Sequence, residues 1–68
     1  MIALDTIRAT IVARRKALKL TQDQLATASG LGIATIKRFE LGQHWPQMEH
    51  LVKLCDALGC SIAITSSL

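Results

Sequence analysis

The sequence predicts an all-α fold of four short helices, followed by one brief β-strand that pairs with the same strand of a second copy. Three observations carry this expectation. Half of the 68 residues are apolar while only Phe39 and Trp45 are aromatic, so the core has to be assembled from Leu, Ile, Val and Ala on amphipathic helices. Apolar side chains recur at three- and four-residue spacing in four segments, set apart by Thr21, by Ser29-Gly30 and by Gly42 to Pro46. After Gly59 the period drops to two, with Cys60, Ile62 and Ile64 alternating with Ser61, Ala63 and Thr65, and Ile and Thr favour strands.

The first helix is expected over residues 5–19, where Ile7, Ile11 and Leu18, with Ala9 and Val12 beside them, form one face. Arg15 stands on that stripe, a charge among apolar positions. Thr21 is a good N-cap for a second helix over 22–28, with Asp23 near the positive end of the helix dipole and Leu25 and Ala28 directed inward. Ser29-Gly30 breaks the pattern, because Gly30 can take the left-handed conformation of a tight turn, and Leu31 seals it. A third helix over 33–41 places Ile36 and Phe39 inside and Ala34, Lys37 and Arg38 outside, and Gly42 stops it. The loop Gln43-His44-Trp45-Pro46 leads into a fourth helix over 47–58, with Met48, Leu51, Leu54, Cys55 and Leu58 on one face and Gly59 as its stop.

The strand over 60–65 needs a neighbour for its backbone, and within the chain only Met1 to Leu4 is available. A second copy is the better neighbour. The expected assembly is a two-fold homodimer with an antiparallel ribbon through Cys60, Ile62 and Ile64. Dimerisation also suits a single domain spanning 1–68, just below the length at which one core usually suffices.

Composition narrows the function. The net charge of +3 is modest, and its grouping as Arg14, Arg15, Lys16 and Lys19, then Lys37 and Arg38, is a weak signal for a polyanion. Cys55 and Cys60 have neither CxxC nor zinc-finger spacing, so no metal site and no disulfide framework is expected, only free thiols in a reducing compartment. No stretch of 18 apolar residues and no secretory leader occurs, which points to a soluble cytoplasmic protein with no membrane partner. His44 and His50 lie six apart, Cys55 has no evident base, and no acid–base or nucleophile constellation is visible, so neither an enzyme nor a cofactor is expected.

The run Thr21-Gln22-Asp23-Gln24-Leu25-Ala26-Thr27-Ala28-Ser29-Gly30-Leu31, followed by Ile36, Phe39, Glu40 and Gly42, resembles the Cro and phage-repressor (Xre) type of helix-turn-helix family. The resemblance extends over about Ile7 to Gly59 and implies a lambda-repressor-like domain. It implies a repressor that binds double-stranded DNA and places base-reading positions at Ile33, Ala34, Lys37 and Arg38, with Thr35 at the edge. It also implies a bridge between Arg15 and Glu40, and a buried charge persists only when paired. The closing segment Ala57 to Ile64 is similar to the ending of Hip-type repressor-antitoxins, which implies a toxin as a second partner.

Physical chemistry agrees with these roles. An α-helix fits the major groove, where arginine can bind guanine at two points and an apolar group can touch a thymine methyl. The start of the second helix, at Thr21 and Gln22, offers backbone amides and the Gln22 side chain to a phosphate, and Lys37 and His44 are further phosphate candidates. The chain departs from the family at Gly32, a weak N-cap, at Lys37, which makes the outer face more basic, and at His44-Trp45, where relatives often carry Arg or Lys. Trp45 reads as a lid on the core. A protein-interaction module on the same fold is the competing function, and salt-dependent retention on duplex DNA separates the two.

Overall fold

The structure, a computed structural model, describes residues 4–62. Four helices follow one another: α1 (Leu4–Ala17), α2 (Gln22–Ser29), α3 (Ile33–Glu40) and α4 (Met48–Ala57). Helix α2 packs against both α3 and α4, and α1 closes over α3. Between them lies one core of Ile11, Leu25, Ile36, Phe39, Leu51, Leu54, Cys55 and Leu58, with Pro46 also buried. Each fully buried aliphatic side chain contributes roughly 1.5–3 kcal/mol relative to an exposed one. Among the described residues no helix is long and apolar enough to cross a membrane.

Three of the helices stop by the same device. The residue two positions past the last helical one turns left-handed, and the next N–H reaches back five residues to a carbonyl. At α3 the turning residue is Gly42 (φ 79°) and Gln43 N–H donates to the Arg38 carbonyl at 2.9 Å. At α4 it is Gly59 (φ 67°), and Cys60 N–H donates to the Cys55 carbonyl at 2.9 Å. At α1 the position is held by Lys19 (φ 58°), with Leu20 N–H on the Arg15 carbonyl at 3.1 Å. That left-handed turn ends α1 at Ala17, two residues before the end expected from sequence.

Several inward assignments change. Ala28 is exposed, and its place is taken by Ser29, which is 8% exposed. The helical period from Leu25 brings Gln22, Ala26 and Ser29 to the inner side, and the Ser29 hydroxyl is satisfied by donating to the Leu25 carbonyl at 2.7 Å. Met48 at 62% and Leu18 at 41% exposure point away from the core they were expected to join, Met48 as the first residue of α4 and Leu18 just past the end of α1. Of the strand expected over 60–65, Cys60, Ser61 and Ile62 form no strand, because the Cys60 N–H is engaged by α4 and Leu4 belongs to α1 instead of offering a ladder. The remainder, including Ile64, lies outside the described residues.

Candidate nucleic-acid interface

Helix α2 begins with a reciprocal cap. The Thr21 hydroxyl oxygen accepts the Gln24 N–H at 3.0 Å, while Gln24 Oε1 accepts the Thr21 N–H at 2.8 Å. The first-turn N–H groups of Gln22 and Asp23 have no carbonyl within the helix to bond and remain donors at its positive end. Gly30, left-handed at φ 74°, then closes α2 through its N–H to the Ala26 carbonyl at 3.0 Å. Half-buried Leu31 packs on the core, and Gly32 enters α3 in an extended conformation without any side-chain cap.

At about 100° per residue, Ile33, Ala34, Lys37 and Arg38 share one arc of α3. Ala34, Lys37 and Arg38 are exposed and Ile33 is half-buried at the arc's edge. Thr35 is half-buried and lies about 100° further round than Ala34, off that arc. On the opposite side Ile36 and Phe39 are each 1% exposed. His44 is exposed in the loop after α3, whereas Trp45 is half-buried with its ring centroid 5.6 Å from that of Phe39 at an interplanar angle of 57°.

The end of α3 is anchored by charge. Arg15 grips Glu40 at two points, Nε to Oε2 at 2.7 Å and Nη2 to Oε1 at 2.9 Å, and its Nη1 donates to the Leu20 carbonyl at 2.8 Å. Gln22 Nε2 donates to the same Glu40 Oε1 at 3.0 Å. One carboxylate therefore ties α1, α2 and α3 together, with side-chain exposures of 12% for Arg15 and 9% for Glu40. Gln22, singled out in the sequence for phosphate, has its side-chain amide on Glu40 and its backbone N–H at the helix start.

The basic cluster of α1 is divided by the fold. Arg14 Nε donates to the Leu58 carbonyl at 2.9 Å, at the end of α4, and Arg15 is held by Glu40. Lys16 and Lys19 stay exposed. Arg8, which drew no attention in the sequence, donates from Nε to the Phe39 carbonyl at 3.0 Å, pairs with Asp5, and lies 3.4 Å from where a Cβ on Gly42 would stand. Cations at these carbonyl-rich helix ends are favoured by the helix dipole. Leu41, 72% exposed, extends the outward arc of α3 past Lys37 and was also missed; its spacing of seven from Ala34 was the available signal.

This geometry, two helices crossing through a glycine turn with the second presenting an exposed, basic arc, agrees with comparisons to known proteins. A helix-turn-helix family profile matches residues 11–64. The chain is 41% identical over 56 residues to the cryptic phage CTXphi transcriptional repressor RstR of Vibrio cholerae serotype O1, a match covering 82% of this chain and 50% of that protein. It is 41% identical over 54 residues to an uncharacterized HTH-type transcriptional regulator of Haemophilus influenzae, covering 79% of this chain and 55% of the relative. The chain thus spans about half the length of the curated relatives it matches. No solved structure matches it. With the family profile covering most of its length, the chain belongs to the helix-turn-helix family of the Cro and phage-repressor (Xre) type.

Proposed function

We propose that the chain is a DNA-binding transcription regulator, a repressor that reads double-stranded DNA through the outward arc of α3. The observation that carries this reading is the division of α3 into an exposed face of Ala34, Lys37 and Arg38 and an inner face locked by Ile36, Phe39 and Glu40. Arg38 is the base reader for guanine, Ile33 and Ala34 meet thymine methyl groups, and Thr35 works at the edge. Thr21, the Gln22 N–H, Lys37 and His44 position the phosphates. The similarity to RstR, itself a phage transcriptional repressor, supports the repressor reading over that of an antitoxin with a toxin partner. Its place of action is then the nucleoid in the cytoplasm.

The protein acts as a two-fold homodimer, with a ribbon between copies formed by the alternating segment beyond the α4 cap, whose Cys60 N–H stays on the Cys55 carbonyl. The operator is then an inverted repeat with half-sites roughly 34 Å apart or a multiple of that. In vitro selection of duplexes by the full chain, followed by affinity measured against salt, tests the function. Enrichment of an inverted repeat, with binding that weakens steeply as salt rises, is expected. Failure to enrich any sequence, with no retention on duplex DNA at low salt, overturns it in favour of a protein-interaction module. Sedimentation of a chain truncated after Gly59 tests the ribbon, since an undiminished dimer refutes it.

A further inference from the structure

The spacing of Cys55 and Cys60 suggests no disulfide framework, but the cap that ends α4 brings these two residues together. Cys55 is the third residue from the end of the helix, and Cys60 follows the left-handed Gly59. Gly59 N–H donates to the Asp56 carbonyl at 3.3 Å and Cys60 N–H to the Cys55 carbonyl at 2.9 Å. In this type of cap the side chains of those two positions meet, ordinarily as an apolar contact. Here both carry thiols, with Cys60 half-buried against the cluster that contains Cys55. The 2.9 Å backbone bond limits the Cα–Cα separation to at most about 6.8 Å, within the span a disulfide bridges without backbone movement.

We propose that Cys55 and Cys60 are a redox-active dithiol site, which peroxide converts to an intrachain disulfide across the last turn of α4. The more accessible Cys60 sulfur, as thiolate, attacks one peroxide oxygen. The O–O bond breaks, Cys60 becomes a sulfenic acid, and the leaving hydroxide takes a proton to become water. The Cys55 sulfur then attacks the sulfenic sulfur, the S–S bond forms, the S–O bond breaks, and the Cys55 proton leaves with the hydroxide as a second water. Two thiols lose two electrons and two protons, and one peroxide is reduced to two waters. The division of roles follows from burial and contact. Desolvation first, and then the hydrogen bond to the Cys60 sulfur, push the Cys55 thiol up to about 11, which leaves the first attack on peroxide to Cys60.

The test treats the reduced full-length chain with hydrogen peroxide, removes the oxidant with catalase, blocks remaining thiols with N-ethylmaleimide in denaturant, and reads the intact mass and the peptides. The expected product is monomeric in mass, lighter by about 2 Da, blocked at neither cysteine, and restored by dithiothreitol. C60S, checked for an unchanged circular dichroism spectrum, should show no loss of 2 Da and full blocking at Cys55. C55A should accumulate a Cys60 adduct with dimedone. A chain still blocked at both cysteines after peroxide, or one whose thiols are lost only into a covalent species of doubled mass, overturns the proposal.

Discussion

Replacing Glu40 by alanine removes the carboxylate that Arg15 grips at 2.7 and 2.9 Å and Gln22 at 3.0 Å. Arg15 is only 12% exposed, so its guanidinium would keep one carbonyl partner and lose its counter-charge in a largely dry site. Removing one member of a buried pair costs about 3–5 kcal/mol, because the survivor stays buried and unpaired. For a chain of this size total stability is on the order of 3–10 kcal/mol, so the loss removes a large part of it. At roughly 4–8 °C per kcal/mol for a domain this small, Tm should fall by at least ~12 °C. Far-UV circular dichroism and the fluorescence of Trp45, which packs at a tilt against Phe39, should report the same transition. Glu40→Gln keeps an acceptor for Gln22 and should fall between the two. Combining Glu40→Ala with Arg15→Met should recover part of the loss, a coupling of about 1–3 kcal/mol. An alanine variant melting within about 3 °C of the parent would refute the reasoning, since ~3 kcal/mol cannot then reside in the bridge.

Three further outcomes separate folding from recognition. Lys37→Ala should leave Tm unchanged, because the residue is exposed, while lowering the slope of log K against log salt by about 0.9 in a DNA titration. Arg14→Ala should do the reverse, costing about 1–2 kcal/mol in urea denaturation through the lost bond to the Leu58 carbonyl and leaving the salt slope unchanged. Lys19→Gly should stabilise the chain by up to about 1 kcal/mol, since only the left-handed turn at φ 58° is relieved; a lower Tm would show that the lysine side chain has a role of its own.

What the sequence made legible was whatever depends on neighbours along the chain. The helix starts at Thr21 and Gly32 and the turn at Gly30 follow from local conformational preference, and the inner side of α3 follows from the spacing of Ile36 and Phe39. Arg15 stood out because it interrupts an apolar stripe, and the family resemblance paired it with Glu40. The partners of Arg8 and Arg14 were hidden for the opposite reason. They are backbone carbonyls 31 and 44 residues away, carrying no identity in the sequence, so Arg14 read as part of a free basic patch and Arg8 as nothing in particular. Ser29 was passed over for Ala28 because polarity suggests exposure, yet a hydroxyl that bonds the carbonyl four residues back can be buried cheaply. Met48 shows the converse error, an apolar side chain in the first turn of a helix that stays exposed among the described residues.

The division of α3 into an anchored face and a reading face is tested most directly by Arg38→Ala against a panel of selected operators, each changed at one base pair. If Arg38 reads guanine, the variant should lose about 1–3 kcal/mol of discrimination at one base pair per half-site and keep it at the others. A uniform fall across the whole panel, or none, would contradict the assignment and leave the exposed arc of α3 as a surface that holds phosphate without reading sequence.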